Sequence, residues 1–509
     1  MYGRSFLLAL GLTAGLLGST ASATAQETPQ SGGTFNISFL DSAKTLDPTY
    51  SNDYAERRVL HLIYNTLVAT NPDFSIRPEL AKSWEIAEGG TRYVFQLQEG
   101  VTFQDGTPFD AEAVKYNIER RLDETVASAQ RKQLLPVIEN VEILGPLELA
   151  INLKTPYPAL LAEFADRWGF MISPTAVEKF GEDFGSNPVG TGAFQLVDWT
   201  RGTSITLEKN PDYWEEGLPY LDGIVFNSVA NEVIGMQRLM VGEVDYVDSL
   251  SPDQVKTVEG RNGIEIEKSP VGRWFSLQWQ VDKPPFDNVT LRRAIAHALD
   301  REKINEIMMG GEGTIANGPT PPGFWWSSPD NVVYDYDPDK ARELLAEAGI
   351  TEGTTLTLTT PSRPDTRRLN QLVAEMLQEV GLNIELEPVE ANVYYSRVVE
   401  RAINFVPMTW SQRADPDGLV TILLHSDGWA NTTGYANPEL DALLDEARTL
   451  TTQDERKPLY AQAKDLIGED LPYLPLFFEV SFSARKDSLH GVVQMPDTIP
   501  RFRYAWKEQ

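Results

Sequence analysis

The sequence predicts an α/β protein with several hydrophobic cores, and three observations lead to that prediction. Its 509 residues correspond to roughly three domains at about 150 residues each. Residues 80–116 contain two strand-like runs around the hairpin turn Glu88-Gly89-Gly90, followed by a helix that begins after Asp110. After Pro284-Pro285, helical and strand patterns alternate, which is typical of parallel α/β units.

Residues 1–25 predict an export signal peptide that does not belong to the folded domains. Arg4 supplies a positive charge, Phe6–Leu17 is apolar, and Ala23-Thr24-Ala25 offers a small-residue cleavage site. The apolar stretch is shorter than the roughly 20 residues that cross a bilayer, and a retained interfacial anchor is the alternative interpretation. We therefore expect a mature chain that starts near Gln26.

The cysteine count and the charge limit the compartments and partners of this chain. The sequence has no cysteine, which excludes a lipid anchor on an amino-terminal Cys, disulfides and Cys-metal sites. An exported protein without an anchor needs another barrier to retain it, so we expect it in a periplasm. The formal charge of −30 repels phosphate backbones and argues against a nucleic-acid partner. We expect a monomer without a cofactor.

The first half of the chain predicts short strands separated by turns. Val101–Phe103 is expected to extend the hairpin sheet, and Ile264–Glu267 to form a further short strand. Asp110 precedes an apolar stripe and is expected to cap a helix. Gly190 and Gly192 lie near the start of another strand, but the spacing and the lysine of a phosphate loop are absent there.

The second half predicts regular alternation of helices and strands. Leu291–Met309 has the pattern of one long helix that Gly310-Gly311 would close. Strand Thr354–Thr360, helix Leu369–Val380 and strand Leu382–Glu387 follow one another with short connections. That order predicts a βαβ unit with two parallel strands.

Several short motifs occur in an order and spacing that together are highly specific. They are Leu80–Glu85, Tyr93–Phe103, Asp105–Phe109 with Ala111 and Val114, Asn187–Gly192, Asn210–Trp214, Leu291–Ala296 with Asp300, and Trp410 with Asp415-Pro416. In these motifs the chain resembles the extracytoplasmic solute-binding proteins of bacterial ABC importers, in the family 5 class of dipeptide, oligopeptide, nickel and glutathione binders. The resemblance covers nearly all of the mature chain. The family usually has Lys or Arg where this sequence has Gln98, which we interpret as a surface detail.

The resemblance implies a two-lobed periplasmic-binding-protein fold of cluster C type, with an extra inserted domain and a ligand cleft between the lobes. Hinge motion would close the lobes on the ligand. The implied domains are lobe I (residues 26–55, 187–284 and 487–509), an inserted domain (residues 56–186) and lobe II (residues 285–486). The start of lobe II agrees with the change of pattern after Pro284-Pro285, whereas the discontinuity of lobe I follows from the resemblance alone.

The strongest ligand-binding candidate lies where the apolar strand Phe405–Trp410 ends. Ligands of open α/β sheets bind where strands end, and Trp410, Arg413 and Asp415 lie there. In the peptide binders that the chain resembles, an Asp three residues after the pocket Trp binds the amino terminus of the ligand. This sequence has Arg413 at that position, and a guanidinium suits a carboxylate, a phosphate or a ring face. The alternative is that Arg413 pairs with Asp415 or Asp417 and does not meet the ligand.

Other ligand-binding candidates rest on weaker signals. By the resemblance, the pocket loop of lobe I falls on Asn52, Asp53 and Tyr54, where an acid could still hold an amine. Arg363 and Arg367 follow a predicted strand and could face the cleft, with solvation on a helix surface as the alternative. Four aromatic residues could stack on a ligand or belong to a core: Trp325, Trp326, Tyr394 and Tyr395.

Together these observations predict a periplasmic binding protein that delivers a small solute to the permease and ATPase of an ABC importer. A secreted hydrolase is the alternative from another class, but the sequence lacks a Gly-x-Ser-x-Gly elbow and a His-Glu-x-x-His pair. A sensor or chaperone on the same fold is a third interpretation. The expected solutes are short peptides and glutathione-like compounds, followed by opines, oligosaccharides and metal chelates. Only four scattered histidines are present, so we expect no direct metal site.

Overall fold

The computed structural model describes residues 28–508, apart from 41, 52–53, 129–130, 328–331 and 363. The predicted signal peptide and its cleavage site therefore lie outside the described residues. Among the helices of the described ranges, none is both long and apolar enough to cross a bilayer. These helices are α1 (Tyr54–Ile63), α2 (Ala111–Leu122), α3 (Arg131–Leu134), α4 (Leu160–Phe164), α5 (Pro174–Phe180), α6 (Glu232–Val241), α7 (Pro252–Val258), α8 (Val289–Ala298), α9 (Arg301–Met309), α10 (Pro338–Glu347), α11 (Pro364–Glu379), α12 (Ala391–Val399), α13 (Val420–Leu424), α14 (Pro438–Thr449) and α15 (Gln453–Asp470).

Strands make up the rest of the regular structure and form several sheets. In chain order they are β1 (Thr34–Phe39), β2 (Val68–Thr70), β3 (Ile76–Pro78), β4 (Ala81–Ala87), β5 (Arg92–Leu97), β6 (Ile138–Gly145), β7 (Glu148–Leu153), β8 (Phe194–Thr200), β9 (Ser204–Lys209), β10 (Gly223–Ser228), β11 (Tyr246–Val247), β12 (Ile264–Trp279), β13 (Thr314–Ile315), β14 (Thr355–Pro361), β15 (Asn383–Val389), β16 (Phe405–Ser411), β17 (Tyr473–Lys486), β18 (Leu489–His490) and β19 (Trp506–Lys507). The largest sheet has the order β16-β12-β17-β11-β1-β10-β9-β8, with β13 beside β17.

Two long antiparallel strands, β12 and β17, join two parts of the molecule that have separate cores. One end of the pair packs Ile266 against Phe482 in a small core. The other end contributes Leu277 and Phe477 to a large core with α8–α11. A register shift in β12 between Pro270 and Trp274 lies between the two ends. The α/β class and the two-lobed arrangement are thereby confirmed, while the domain boundaries remain a prediction.

The length of β12 contradicts the short strand that the sequence predicts at Ile264–Glu267. The strand runs for 16 residues because the backbone continues through Pro270 and Gly272 as an irregularity rather than ending there. Strands tolerate proline and glycine at such irregular positions. The consequence is that one strand contributes to two separate cores, so the backbone between these cores is continuous.

A four-stranded antiparallel sheet, β4-β5-β7-β6, forms a separate core with α2. Asp110 caps α2 as predicted, because its side chain accepts a hydrogen bond of 2.9 Å from the amide of Ala113. The expected extension of the hairpin sheet at Val101–Phe103 is wrong. Thr102 makes only an isolated bridge to Pro108 across the turn, because the chain reverses at Gly106 before a ladder can form.

Strands β14 and β15 pair in parallel and α11 packs on them, which confirms the predicted βαβ unit. The single helix predicted over Leu291–Met309 is wrong, because the chain leaves the helical conformation at Leu299. Asp300 then accepts from the amide of Lys303 at 2.9 Å and starts α9. The apolar periodicity continues across the break, and it therefore gave no sign of two helices.

Candidate ligand-binding site

A cavity, here called the cleft cavity, lies where five separate segments of the chain meet. The space between the lining side chains is narrow in this structure and partly open to solvent. The lining comes from the start of α1, from β2 and the following turn, from α4 and the turn after it, from the end of β16, and from Asp497. Tyr54 Oη and Ser411 Oγ share a hydrogen bond of 2.8 Å across it, and Phe74 packs on Phe324 at 5.1 Å.

Arg413 lies in the wall of the cleft cavity, in the turn that follows β16. Its position is set by β16, which pairs antiparallel with β12 so that Trp410 stands opposite Trp274. The side chain of Gln412 makes no hydrogen bond within the described residues. Its backbone N–H donates a hydrogen bond of 2.8 Å to the carbonyl of Gly272. The turn is thereby fixed to the irregular part of β12, and Arg413 points from it toward the cavity.

The two acids that could have paired with Arg413 have other partners. Both oxygens of Asp415 accept from Arg456, at 2.6 and 2.7 Å, and the pair is buried. Asp417 accepts from Arg448 Nε at 2.6 Å. Within the part of the chain that the structure describes, no acid forms an ion pair with Arg413. The alternative that Arg413 pairs with Asp415 or Asp417 is therefore wrong in this structure, and Asp415 itself supports the turn rather than lining the cavity.

Arg57 is the second guanidinium in the cavity wall, and its charge is already compensated. It bonds to Asp166 at 2.6 Å and lies 3.6 Å from Asp497, which also pairs with Arg501 at 2.6 Å. Burial alone would raise the pKa of Asp166, but Arg57 and other nearby arginines hold it below its ordinary value. Asp166 is therefore ionised at neutral pH, and both acids are bound to protein cations.

Glu163 is the acid of the cavity wall that lacks an ion pair among the described residues. Its side chain is 8% exposed and accepts a hydrogen bond from the Gln133 amide. Burial raises the pKa of Glu163 to about 7, against the opposing effect of Arg413. At neutral pH this carboxyl is therefore divided between its protonated and ionised forms.

Further cations lie close to the cavity. Burial, together with the charge of Arg57, lowers the pKa of Arg167 to about 10. Burial would raise the pKa of Tyr54, but the field of Arg57, the hydrogen bond with Ser411 and the charges of Arg273 and Arg413 bring it below its ordinary value. The charges of Arg57 and Arg413 contribute to both shifts, and such charges at this end of α1 favour a negative ligand group.

The structure brings together only part of the set of residues that the sequence proposes. Tyr54 and Arg413 line the cavity, and Trp410 packs behind it with its indole Nε1 buried and without a hydrogen-bond partner among the described residues. Arg367 is exposed on α11 and does not line the cavity. Asn52, Asp53 and Arg363 lie outside the described residues.

The four aromatic candidates belong to packed clusters rather than to the cavity wall. Trp325 and Trp326 pack on Tyr460 at 5.9 and 5.7 Å. Tyr394 is buried and bonds to the carbonyl of Pro407, while Tyr395 packs on its edge. The rings of Trp325, Trp326 and Tyr394 therefore take part in packing in this structure, whereas Tyr395 remains 47% exposed.

Sequence reasoning missed Arg57, Glu163 and Asp166. Two signals were present: Glu163, Asp166 and Arg167 interrupt an otherwise apolar stretch, and Arg57 precedes the apolar stripe of a helix that begins at the expected pocket loop. Charged residues inside apolar stretches are buried only when they are paired or functional. A search for such residues would have found all of them.

A second cavity adjoins the cleft cavity, and both are lined by Thr70 and Ala165. It contains about 1010 Å³ of empty space, part of it open, and lies between the end of α1, the β2–β3 hairpin and the carboxyl-terminal segment. Glu79 and Arg503 form a buried ion pair in its wall. A solute held in the cleft cavity therefore has room to extend past Thr70.

Sequence comparison relates this chain to one family along most of its length. The family model described as bacterial extracellular solute-binding proteins, family 5 (middle), matches residues 75–431. The glutathione-binding protein GsiB of Shigella flexneri is 31% identical over 506 residues, which is 97% of either chain. GsiB of Escherichia coli K12 matches with the same identity and coverage.

Solved structures with the same architecture are also found. The periplasmic binding protein DppA of Helicobacter pylori, in complex with the peptide STSA, has a TM-score of 0.82 and 25% identity over 94% of this chain and 99% of that chain. The substrate-binding protein CtaP of Listeria monocytogenes has a TM-score of 0.86 and 23% identity over 94% of this chain and 100% of the other. The second likeness concerns the fold alone.

Proposed function

This chain belongs to the bacterial extracellular solute-binding proteins of family 5, and from that premise we propose that it captures a peptide-like solute bearing a carboxylate in the periplasm. It is the solute-binding component of an ABC importer, and its family consists of binding proteins rather than enzymes. Delivery to the permease would follow capture. The signal features of residues 1–25 support the periplasmic location.

The observation that supports a carboxylate is the guanidinium of Arg413 in the cavity wall, which forms no ion pair with an acid of the described residues. Arg413 is half-buried, and a cation that has lost part of its water without gaining a counterion is stabilised when a ligand anion binds there. The planar guanidinium donates two parallel hydrogen bonds to a carboxylate, which adds direction to the charge attraction. Arg57 cannot serve equally, because Asp166 already occupies it.

Contacts across the cleft support capture by closure. The Tyr54–Ser411 hydrogen bond and the Phe74–Phe324 contact join segments on opposite sides of the cavity. Strands β12 and β17 connect the same two sides, so a small change of backbone dihedrals near the register shift could open or close the cleft. Closure would remove water from around the solute and strengthen its charge interactions.

The names of relatives narrow the class of solute. GsiB is named for glutathione, and the DppA structure contains a short peptide. We infer that the solute is a short peptide or a glutathione-like compound. Mass spectrometry of the solute released by denaturing the purified protein tests this inference, and release of only sugars or metal chelates would contradict it.

Titration of Arg413 variants tests the proposed contact. Truncating one partner of a desolvated charge pair costs roughly 2–5 kcal/mol, which is about 30-fold to several thousand-fold in affinity. We expect Arg413→Ala to lose that much affinity for glutathione by calorimetry, and Arg413→Lys to recover part of it. The control is Arg342→Ala, because Arg342 pairs with Asp339 on an exposed helix. Binding by Arg413→Ala within about threefold of wild type would contradict the contact.

A further inference from the structure

Glu163 and Arg413 line the same cavity and carry opposite charges, yet they do not pair. A Cβ atom on Gly418 would lie 3.4 Å from Cγ of Arg413 and 3.5 Å from Oε1 of Glu163. Cγ of Arg413 and Oε1 of Glu163 are therefore within about 7 Å of each other. No ion pair within 4.0 Å joins Arg413 to an acid of the described ranges. Both side chains line the cleft cavity without bonding to each other, so a ligand group in the gap between them would face a cation and a carboxyl.

We propose that this gap binds the head group of a free α-amino acid, with its carboxylate at Arg413 and its ammonium at Glu163; the proposal rests on the function proposed above. Both charged groups of such a head group are bonded to one carbon atom, so they fit within one gap. A γ-glutamyl compound such as glutathione keeps this head group intact. An ordinary α-peptide separates its ammonium from its carboxylate by at least one peptide unit.

The charges around the gap favour a dipolar ligand over a purely anionic one. The wall of the cavity contains Arg57 and Arg413 but also Glu163, Asp166 and Asp497, so its formal charges are mixed. Arg57 pairs with Asp166, and Asp497 pairs with Arg501, which lies outside the wall, so these charges are compensated. What remains is one cation and one carboxyl, which match the carboxylate and the ammonium of an α-amino acid.

The surroundings of Glu163 agree with an ammonium there. The charged and titratable groups that face its carboxyl are Asp166 and Arg167 in the following turn, Arg413 and Asp417 in the turn after β16, and Tyr157 ahead of α4. Burial disfavours its ionised form, which is the reason that its pKa is raised to about 7. A ligand ammonium would offset that burial and hold Glu163 ionised, because an opposite charge nearby favours the charged form.

Three probes that differ by one charged group separate the two contacts. Glutathione has the complete head group, glutaryl-Cys-Gly lacks only its ammonium, and 4-aminobutyryl-Cys-Gly lacks only its α-carboxylate. In calorimetric titrations of the wild-type protein we expect each truncated probe to bind at least about 30-fold more weakly than glutathione, the lower end of the loss for an unpaired buried charge. The adjoining cavity past Thr70 receives the Cys-Gly portion in each case.

Variants of the two residues should change these preferences in opposite ways. Glu163→Gln should lose the preference for glutathione over glutaryl-Cys-Gly and keep the preference for glutathione over 4-aminobutyryl-Cys-Gly. Arg413→Ala should keep the preference over glutaryl-Cys-Gly and lose the preference over 4-aminobutyryl-Cys-Gly. Each preference is a ratio within one variant, so a partly unfolded sample does not alter it. Glu215→Gln is the matched control, because burial also raises the pKa of Glu215 but this residue does not line the cleft cavity; it should keep both preferences.

Proton uptake or release on ligand binding distinguishes a ligand contact of Glu163 from a purely structural role. At pH 7, titrations in two buffers of different ionisation enthalpy should show proton uptake with glutaryl-Cys-Gly, because a buried Glu163 without an ammonium must be protonated. Glutathione should instead show proton release, because its ammonium converts the protonated fraction of Glu163 to the ionised form. The Glu163→Gln variant should show neither uptake nor release with either probe. A Glu163→Gln variant with the wild-type preferences would overturn the head-group assignment and leave the proposed function intact. Failure of the wild type to bind these probes and a panel of short peptides would overturn the proposed function itself.

Discussion

Loss of the buried ion pair between Asp415 and Arg456 should loosen the turn that carries Arg413. The side chains are 11% and 2% exposed, and Arg456 also bonds to Tyr460 at 2.9 Å. Arg456→Met keeps the aliphatic stem but leaves Asp415 buried without a counterion, which costs about 3–5 kcal/mol. At about 1.4 kcal/mol per decade, that is a gain of roughly 10² to several thousand-fold in local opening.

Hydrogen exchange measured by mass spectrometry reports that opening in the peptides that cover α15 and the turn. A global denaturation curve is less suitable for this variant, because it does not locate the opening within one part of the protein. The control is Arg342→Ala, whose ion pair with Asp339 is exposed and worth at most about 1 kcal/mol. If Arg456→Met accelerates exchange of these peptides less than about fivefold, a loss of 1 kcal/mol or less, the reasoning is refuted.

Two further predictions concern stability. Burial raises the pKa of Glu163 in the folded protein to about 7, against its ordinary value of 4.5. Between these two pH values the folded state keeps a proton that the unfolded chain releases. The free energy of unfolding therefore falls as pH rises from about 4.5 to 7, by about 3 kcal/mol in total. Urea denaturation at pH 5 and pH 8 should show that Glu163→Gln lacks this loss, and equal pH dependence in both proteins would contradict it. Gly192→Ala should destabilise the protein by about 1–3 kcal/mol, because its Cβ would lie 2.3 Å from the carbonyl oxygen of Leu62. Gly145→Ala is the control for the same denaturation experiment, since its nearest atom would be 3.8 Å away, and equal losses in both variants would refute the steric explanation.

The elements that the sequence predicts correctly are those with a local physical cause. The apolar stripe of α11 and the cap of α2 at Asp110 need only neighbouring residues, and both are confirmed. The full length of β12 depends on pairing with β16 and β17, which are distant in the sequence. Those partners hold Pro270 and Gly272 in a strand that local propensity would end there.

The position of Arg413 in the candidate site was predictable from the sequence, whereas its surroundings and the presence of Glu163 were not. The position of Arg413 follows from the strand end and the turn signal beside it, but its surroundings depend on which cations bind Asp415 and Asp417. The sequence offers Arg413 as the nearest cation, whereas the structure uses Arg448 and Arg456 from two helices that pack against the turn. Glu163 comes from another core altogether, so no spacing rule connects it to Arg413.

The choice of counterions decides what Arg413 can do. If Asp415 were free, it would compete with any solute carboxylate, because a charge pair within one short turn forms at little entropic cost. Arg456 binds both oxygens of Asp415, and Arg448 binds Asp417, so neither acid is available to Arg413. The same two pairs hold the turn from which Arg413 projects. A cation in the cavity wall that has no acid partner among the described residues then gives a solute with a carboxylate an advantage over one without it, and closure of the cleft increases that advantage by excluding water.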